Sequence, residues 1–337
     1  MNNVFILTKE LQEGEKLRMS LKNFDEAFGE IPYLTKEHIF DNPDSIKDCE
    51  YIFTTWYMPM FTEEEVIKYF PKLRAIYYAA GTVKYFAEPF LKKGVRVFTA
   101  ASANGIPVAE FTASQIILAN KGYFRAQKAY KWPIWHRGYF RARGYAERKC
   151  GNYGSKVGLL GCGAIGSKVV ELLKPYKIDV FVYDPYLSDA RIEALGVKKV
   201  SLKELFRTCD VISNHLPDIP ETKGMISYEL LSSMKPTATF INTGRGAQVD
   251  EKALNKVLRR QKDMYALLDV SSHEPLWPWS PLYWRKNVFL TPHIAGSLSN
   301  EVGRMVEYMV QAYRDTLTGK ENMCETSLEI IAKQSTH

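Results

Sequence analysis

Val157-Gly158-Leu159-Leu160-Gly161-Cys162-Gly163-Ala164-Ile165-Gly166 is the stretch that decides the fold. A short apolar run ends in G-x-G-x-x-G, and a helical pattern from Ala164 to Lys174 begins at once. Glycines at those places permit a tight turn and let backbone N–H groups approach a pyrophosphate at the start of a helix. The next strand-like run, VFVYD, ends at Asp184, with 17 residues between it and Gly166. A carboxylate there accepts from an adenosine ribose 2′-hydroxyl and repels a 2′-phosphate, so the dinucleotide expected is NAD rather than NADP. A glycine-rich contact between helix and strand would need no ligand, but the strand context and the acid's spacing favour the dinucleotide.

Outward from this motif, strand-like runs (KVGLL, DVFVYD, DVISNHL, ATFINT, YALLDV, NVFL) alternate with helical segments such as Glu251–Arg260. The first hundred residues alternate in the same way, through Val4–Leu7, Tyr51–Trp56, Leu73–Ala79 and Val95–Ala100. Such alternation gives βα units on mostly parallel sheets, here an α/β chain with two doubly wound parallel-sheet domains. Between them a helix is expected from Pro107 to about Tyr130, because proline suits a first helical turn. A last helix is expected over roughly Asn300–Leu317.

The chain has 337 residues, 46% of them hydrophobic and 25% charged, with 45 Lys+Arg against 38 Asp+Glu. That is a globular composition with apolar material for roughly two cores, and it excludes disorder and collagen-like repeats. No run reaches the roughly 18 apolar residues of a membrane helix, and the first residues lack the pattern of a secretion signal. Five scattered cysteines (Cys49, Cys150, Cys162, Cys209, Cys324) include no C-x-x-C pair, so neither a disulfide framework nor a metal site is expected. A cytoplasmic protein with no membrane contact is the expectation. Between Lys121 and Lys149, nine basic residues face Glu147 alone, so this segment sums to +8 and the rest of the chain to about −1, against a net charge of +7.

Three further runs follow strand-like segments: Ile241-Asn242-Thr243-Gly244-Arg245-Gly246, then Leu268-Asp269-Val270 with Glu274-Pro275-Leu276, then Thr291-Pro292-His293-Ile294-Ala295-Gly296. Ligands in open α/β sheets lie beyond the carboxyl ends of strands, where an Arg, a Glu and a His can converge on a nicotinamide. Hydride arriving at a carbonyl carbon leaves negative charge on oxygen, which a protonated imidazole neutralises by giving up its proton. A neighbouring carboxylate favours the imidazolium and orients the ring. A guanidinium offers a planar fork to a carboxylate or keto oxygen. Taken singly, each of these three residues is more often a solvated or structural group; it is their joint order that points to chemistry. His215, in Asn214-His215-Leu216-Pro217, reads as packing along the cofactor rather than as the acid/base.

In order and local context, from KLRAIYYAAGTV through NGIPVAEFTASQIIL, NHLP, TGRG and HEP to TPHIAG, the chain resembles the D-isomer-specific 2-hydroxyacid dehydrogenases. The family includes phosphoglycerate, glyoxylate/hydroxypyruvate and D-lactate dehydrogenases. The resemblance implies a Rossmann NAD-binding domain, 104–296, inserted into a flavodoxin-like substrate domain made of 1–103 and 297–337. It makes Arg245, Glu274 and His293 the catalytic residues, with Arg245 binding the substrate and Glu274 the partner of His293. Cofactor contacts then fall to Gly161, Gly163, Ala164, Ile165, Gly166, Asp184, His215, Leu216, Pro217, Thr243, Gly244, Asp269, His293 and Gly296, with Asp269 meeting the nicotinamide carboxamide. Ala80, Gly81 and Thr82 hold the substrate carboxylate through backbone amides, together with Arg245 and His293. Tyr78 and Lys84 depart from the family's common pattern beside that loop, so the substrate's side chain is not carried over. Trp56, Tyr57 and Met58, and Trp277, Trp279 and Trp284, are candidate substrate walls, although clustered tryptophans more often lie in a core or an interface.

Read alone, the basic aromatic segment Lys121–Lys149 has the composition of a nucleic-acid surface. The resemblance makes it instead the arm of a homodimer, with Trp132 or Trp135 reaching the partner's active site, and no nucleic acid is expected. The function expected is NAD-dependent, reversible reduction of a 2-keto acid to an (R)-2-hydroxy acid. Its alternative is an NAD-sensing, corepressor-like protein of the same fold, disfavoured because the chain has no long disordered extension. A formate dehydrogenase normally has Gln where Glu274 stands. About forty residues follow Gly296, so no separate regulatory domain is expected there.

Overall fold

The computed structural model describes residues 4–8, 15–29, 31–130 and 135–332. The chain divides into two compact units, one made of Met1–Gly105 with Ser297–His337 and the other of Ile106–Gly296. The strands in chain order are β1 (Val4–Leu7), β2 (Tyr33–Leu34), β3 (Tyr51–Thr54), β4 (Ala75–Tyr78) and β5 (Arg96–Thr99) in the first unit. The second unit holds β6 (Lys156–Leu160), β7 (Asp179–Tyr183), β8 (Lys198–Lys199), β9 (Val211–Asn214), β10 (Thr239–Asn242), β11 (Tyr265–Leu268) and β12 (Val288–Leu290). The short β13 (Glu325–Thr326) returns to the first sheet, antiparallel to β5.

The second unit's sheet is parallel throughout, in the order β12-β11-β10-β9-β6-β7-β8. From β6 the chain builds outward to β8, then crosses back and builds the other way from β9, which is the Rossmann arrangement with its switch point between β6 and β9. β9, β10 and β11 are buried along their whole length, as strands covered on both faces must be. One core lies against each face, Leu205, Phe206, Phe240 and Leu254 in one and Val157, Leu159, Val169 and Ile241 in the other. Asp250 starts the helix Glu251–Arg260 by accepting from the Ala253 N–H at 2.9 Å.

In the first unit the order is β13-β5-β4-β3-β1-β2, and apart from β13 it is the flavodoxin-like order. The fold expected from the glycine motif and the strand alternation, two doubly wound α/β sheets, is the fold observed. Aromatic residues fill one face of this sheet. Around the Phe53 ring lie Phe28 at 4.7 Å, Tyr77 at 5.0 Å, Phe24 at 5.3 Å and Tyr313, from the last long helix Glu301–Leu317, at 5.5 Å.

One expectation is corrected. The long helix spans Ala101–Asn120, so Pro107 sits inside it instead of opening it, and a separate helix, Tyr123–Tyr130, follows. Ala101-Ser102-Ala103-Asn104 contain no helix breaker, and the Asn104 N–H already donates to Ala100 O at 2.9 Å. Proline's missing N–H removes one intrahelical bond, which a helix of this length tolerates. Helix Tyr123–Tyr130 packs against Trp135–Glu147. Trp132 and the side chain of Trp135 lie outside the described residues. No helix among the described residues is long and apolar enough to cross a membrane.

Phe53 is fully buried at the centre of the aromatic cluster. Phe53→Ala is expected to destabilise the first unit by about 3–5 kcal/mol, and Phe53→Leu by clearly less, measured by urea unfolding. Equal, small losses in both variants would show that the cluster is not a cohesive core.

Candidate active site

Leu160 and Asn214 are register partners, so the residues after β6 and β9 leave the sheet side by side. Gly161 adopts φ +86°, and a Cβ there would lie 2.6 Å from the His215 carbonyl oxygen. Only glycine lets the two loops lie this close. Gly163 starts the helix Ala164–Leu173, and the space where its Cβ would stand is open to 4 Å. Asp184 accepts from the Cys162 N–H at 2.8 Å and the Tyr186 N–H at 2.9 Å, one on each carboxylate oxygen, which leaves a lone pair on each for a ribose hydroxyl.

His215 Nε2 pairs with Ser213 Oγ at 3.0 Å, while its Nδ1 is buried without a partner among the described residues. Burial pushes the His215 pKa down to about 4, so the ring is neutral at pH 7 and has no proton to give as an acid. An orphaned buried nitrogen beside the switch point, open space at Gly163 and a helix N-terminus together fit a dinucleotide.

Thr243, Gly244 and Arg245 follow β10, where a buried amide network fixes them. Gln248, fully buried, accepts from Asn214 Nδ2 at 2.5 Å and from the Arg245 N–H at 3.3 Å. Its Nε2 donates to Leu216 O at 3.0 Å and Pro217 O at 2.8 Å. The Asn214-His215-Leu216-Pro217 and Thr243-Gly244-Arg245-Gly246 runs are thereby tied into one surface. The Arg245 guanidinium donates to Gly244 O at 2.9 Å and lies 3.7 Å from Asp218. At Gly246 a Cβ would fall 1.9 Å from the Ser271 backbone, so the arginine loop and the loop bearing Glu274 touch main chain to main chain.

Asp269 ends up at the base of the histidine loop. Its carboxylate accepts from Thr291 Oγ1 at 2.6 Å, the Ile294 N–H at 2.9 Å and the Ala295 N–H at 2.9 Å, and its carbonyl accepts from the His293 N–H at 2.9 Å. These bonds hold His293 at φ +52°, the left-handed region that side-chain-bearing residues rarely adopt. His293 Nδ1 meets Glu274 Oε2 at 2.6 Å, and Glu274 Oε1 accepts from the Ser271 N–H at 3.3 Å. Both side chains of the pair are about half exposed, so Nε2 of His293, which has no hydrogen-bond partner among the described residues, is open to a ligand. Gly296 ends the loop and the second unit.

Ala80, Gly81 and Thr82 belong to the first unit, directly after β4. Thr99 Oγ1 donates to the carbonyls of Ala80 and Gly81, and the Ala100 N–H donates to Ala80 O at 3.0 Å. The Gly81 and Thr82 N–H groups take no partner among the described residues, and space at Gly81 is open to 4 Å. Tyr78 is buried, its hydroxyl 3.4 Å from that of Tyr85. Trp56 is half buried, Met58 is buried, and Tyr57 stands exposed at φ +70°. Trp277, Trp279 and Trp284 are surface residues rather than core, with Trp277 stacked between His273 at 3.9 Å and Trp279 at 5.0 Å.

Gln248, Thr291, Asp218 and Arg191, which reaches Ser167 Oγ at 2.9 Å in the glycine-motif helix, were not legible from sequence. For Gln248 and Thr291 the signal lay close at hand, three residues after Arg245 and two before His293. Among the described residues no group of three or more His, Cys, Asp or Glu is placed to hold a metal.

Residues 115–295 match the family model described as D-isomer specific 2-hydroxyacid dehydrogenase, NAD binding domain. The chain is 32% identical over 273 residues to a glyoxylate reductase of Korarchaeum cryptofilum, covering 80% of each. It is 31% identical over 259 residues to a D-3-phosphoglycerate dehydrogenase of Mycobacterium leprae, covering 77% of this chain and 48% of that one. The chain thus spans about half the length of the phosphoglycerate dehydrogenases it matches. In fold it is similar to D-2-hydroxyisocaproate dehydrogenase, with TM-score 0.76 and 22% identity over 96% of this chain and 99% of that one. An NAD complex of a D-isomer specific 2-hydroxyacid dehydrogenase from Lactobacillus delbrueckii gives TM-score 0.74 and 20% identity, with the same coverage.

The buried, neutral His215 has a consequence for stability. Between its ordinary pKa of 6.5 and about 4, the unfolded chain binds a proton that the folded ring does not. Stability is therefore lost as pH falls through that window. The drop in urea midpoint from pH 7 to pH 4.5 is expected to be smaller in His215→Gln than in the parent, and an equal drop would contradict a buried neutral ring.

Proposed function

The chain belongs to the D-isomer-specific 2-hydroxyacid dehydrogenase family, and on that footing we propose that it reversibly reduces a 2-keto acid to the (R)-2-hydroxy acid with NAD as cofactor. The observation that carries the proposal is the 2.6 Å bond from His293 Nδ1 to Glu274, on a loop held by Asp269. NADH, when bound, supplies the hydride. Gly161, Gly163, Ala164, Ile165 and Gly166 would hold its pyrophosphate, Asp184 its ribose, and His215, Leu216, Pro217, Thr243, Gly244, Asp269 and Gly296 the remainder.

The residues of this chain do the rest. With Nδ1 committed to Glu274, Nε2 of His293 is the nitrogen that delivers a proton to the substrate oxygen, and in oxidation it takes that proton back. Glu274 orients the ring through that bond. Arg245 binds the substrate through its guanidinium, and the backbone N–H groups at Ala80, Gly81 and Thr82 grip the carboxylate. The five free cysteines suit a reducing compartment and support a cytoplasmic setting.

We further propose a homodimer joined through Lys121–Lys149. The exposed rings of Tyr130, Tyr139 and Phe140 on the paired helices support it, since aromatics and Arg are enriched at interfaces. Phe140→Asp is expected to halve the mass seen by light scattering; a monomeric parent, or a variant that stays dimeric, would refute this arm.

NADH oxidation against a panel of 2-keto acids tests the activity. His293→Ala is expected to lower kcat by about 100-fold or more and Glu274→Gln by about 10-fold or more, with NADH binding retained. Tight NADH binding without turnover on any panel member would overturn the dehydrogenase reading in favour of a sensor.

A further inference from the structure

At the amino ends of β6, β9 and β10, away from the glycine motif and Arg245, lies a cavity of about 170 Å³. Asn120, Arg148, Lys149, Cys150, Asp210 and Thr237 line it. Lys149 donates from Nζ to Thr237 O and, at 3.2 Å, to Thr239 Oγ1, with the ammonium 4.0 Å from the centre of the Tyr265 ring. Cys150 is exposed, and its thiol donates to Asn120 Oδ1 at 3.6 Å.

We propose that Lys149 and Cys150 form an acyl-accepting pair, in which the Cys150 thiol takes the acyl group of a small acyl thioester and passes it to the Lys149 amine. The two are consecutive residues that both line this cavity, so a group carried on the sulfur shares one space with Lys149. An ammonium has three N–H donors; two are used, so the neutral amine keeps both bonds and gains a lone pair. Burial pulls the Lys149 pKa down to about 8. Roughly a fifth of it is then neutral at pH 7.4, against roughly one in a thousand for an ordinary lysine. Burial, and then Asp210, raise the Cys150 thiol above its ordinary value, and Lys149 and Lys235 only partly oppose them, so the attacking thiolate is a minor form of this residue. Of the charged residues lining the cavity, Arg148 and Lys149 stand against Asp210, which leaves the lining net positive toward a polyanionic donor.

The steps balance without any redox change. The Cys150 thiolate attacks the thioester carbonyl, a new C–S bond replaces the donor's, and the departing thiolate takes the proton that Cys150 lost. The neutral amine then attacks the carbonyl on Cys150, a C–N bond forms as that C–S bond breaks, and an amine proton passes to the sulfur. An amide on Lys149 retains one N–H, so one of its two hydrogen bonds and the charge over Tyr265 are given up.

The experiment is incubation of the purified full-length protein with acetyl-coenzyme A, followed by peptide mass spectrometry of every lysine. Acetylation of Lys149 is expected to exceed that of the exposed Lys203 and Lys252 by about 10-fold. Cys150→Ala, with Cys150→Ser as a second variant, is expected to lower Lys149 occupancy about 5-fold and to leave Lys203 and Lys252 unchanged. In Lys149→Arg a hydroxylamine-labile acetyl should remain on Cys150. Lys149 acetylation no greater than at the exposed lysines, or unaffected by either Cys150 variant, would overturn the pair.

Discussion

The buried carboxylate of Asp269 is the constraint on which the candidate chemistry depends. A buried carboxylate is costly unless its oxygens are satisfied, and here a threonine hydroxyl and two consecutive backbone N–H groups satisfy it. Those same bonds close the 291–295 loop around a left-handed His293. A side chain in that conformation costs of order 1–3 kcal/mol, so it persists only where the surroundings over-determine it. The strain carries a benefit in aim: with the backbone turned this way, Nδ1 meets Glu274 and Nε2 stays open. A contact of Asp269 with a nicotinamide, implied by family resemblance, would use a lone pair beyond the three already engaged.

Sheet order explains why these loops gather. A parallel sheet that reverses its building direction between β6 and β9 leaves two adjacent carboxyl ends with connections departing to opposite sides. Gly161 and His215 leave from those ends. From the next strand, Gln248 reaches back to Leu216 and Pro217, and Gly246 brings the arginine loop against Ser271. Each link is main chain or a buried side-chain amide, so the Arg245 and Glu274 loops are held by fixed contacts and not by mobile surface side chains.

The features legible in the sequence were those written in local spacing. The glycine motif, Asp184 and the runs around Arg245, Glu274 and His293 each occupy a strand end and a few following residues, so both fold and candidate triad could be read there. Pairings between distant segments could not. Nothing in the order of residues says that Gln248 bonds the chain near Leu216, or that Asp218 lies by Arg245. Pro107 misled because its local preference for a first turn was outweighed by a helix already begun at Ala101. The Trp277–Trp279 run was open to a core reading because composition records apolar area and not the face it turns to. The charge of the Lys121–Lys149 segment was visible, but not that much of it is spoken for: Arg125 and Arg148 share Asp263, and Arg143 pairs with Glu147.

The two ends of one sheet thus carry unlike chemistry. At carboxyl ends stand the N-terminus of the helix Ala164–Leu173 and a left-handed histidine, where backbone polarity suits anionic ligands. At amino ends a charged side chain ties the strand entries together, Asp210 accepting from the Lys156 N–H and from Lys235. Lys149 belongs to that second group, yet it has no carboxylate among its hydrogen-bond partners in the described residues; its amine rests on a carbonyl, a hydroxyl and a ring. A cation so held is stabilised by partners that a neutral amine also satisfies, whereas an ion pair would fix the charge. This distinguishes Lys149 from Lys235, which bonds Asp210 at 2.6 Å, and leaves Lys149 as the lysine lining this cavity whose environment favours nucleophilic use.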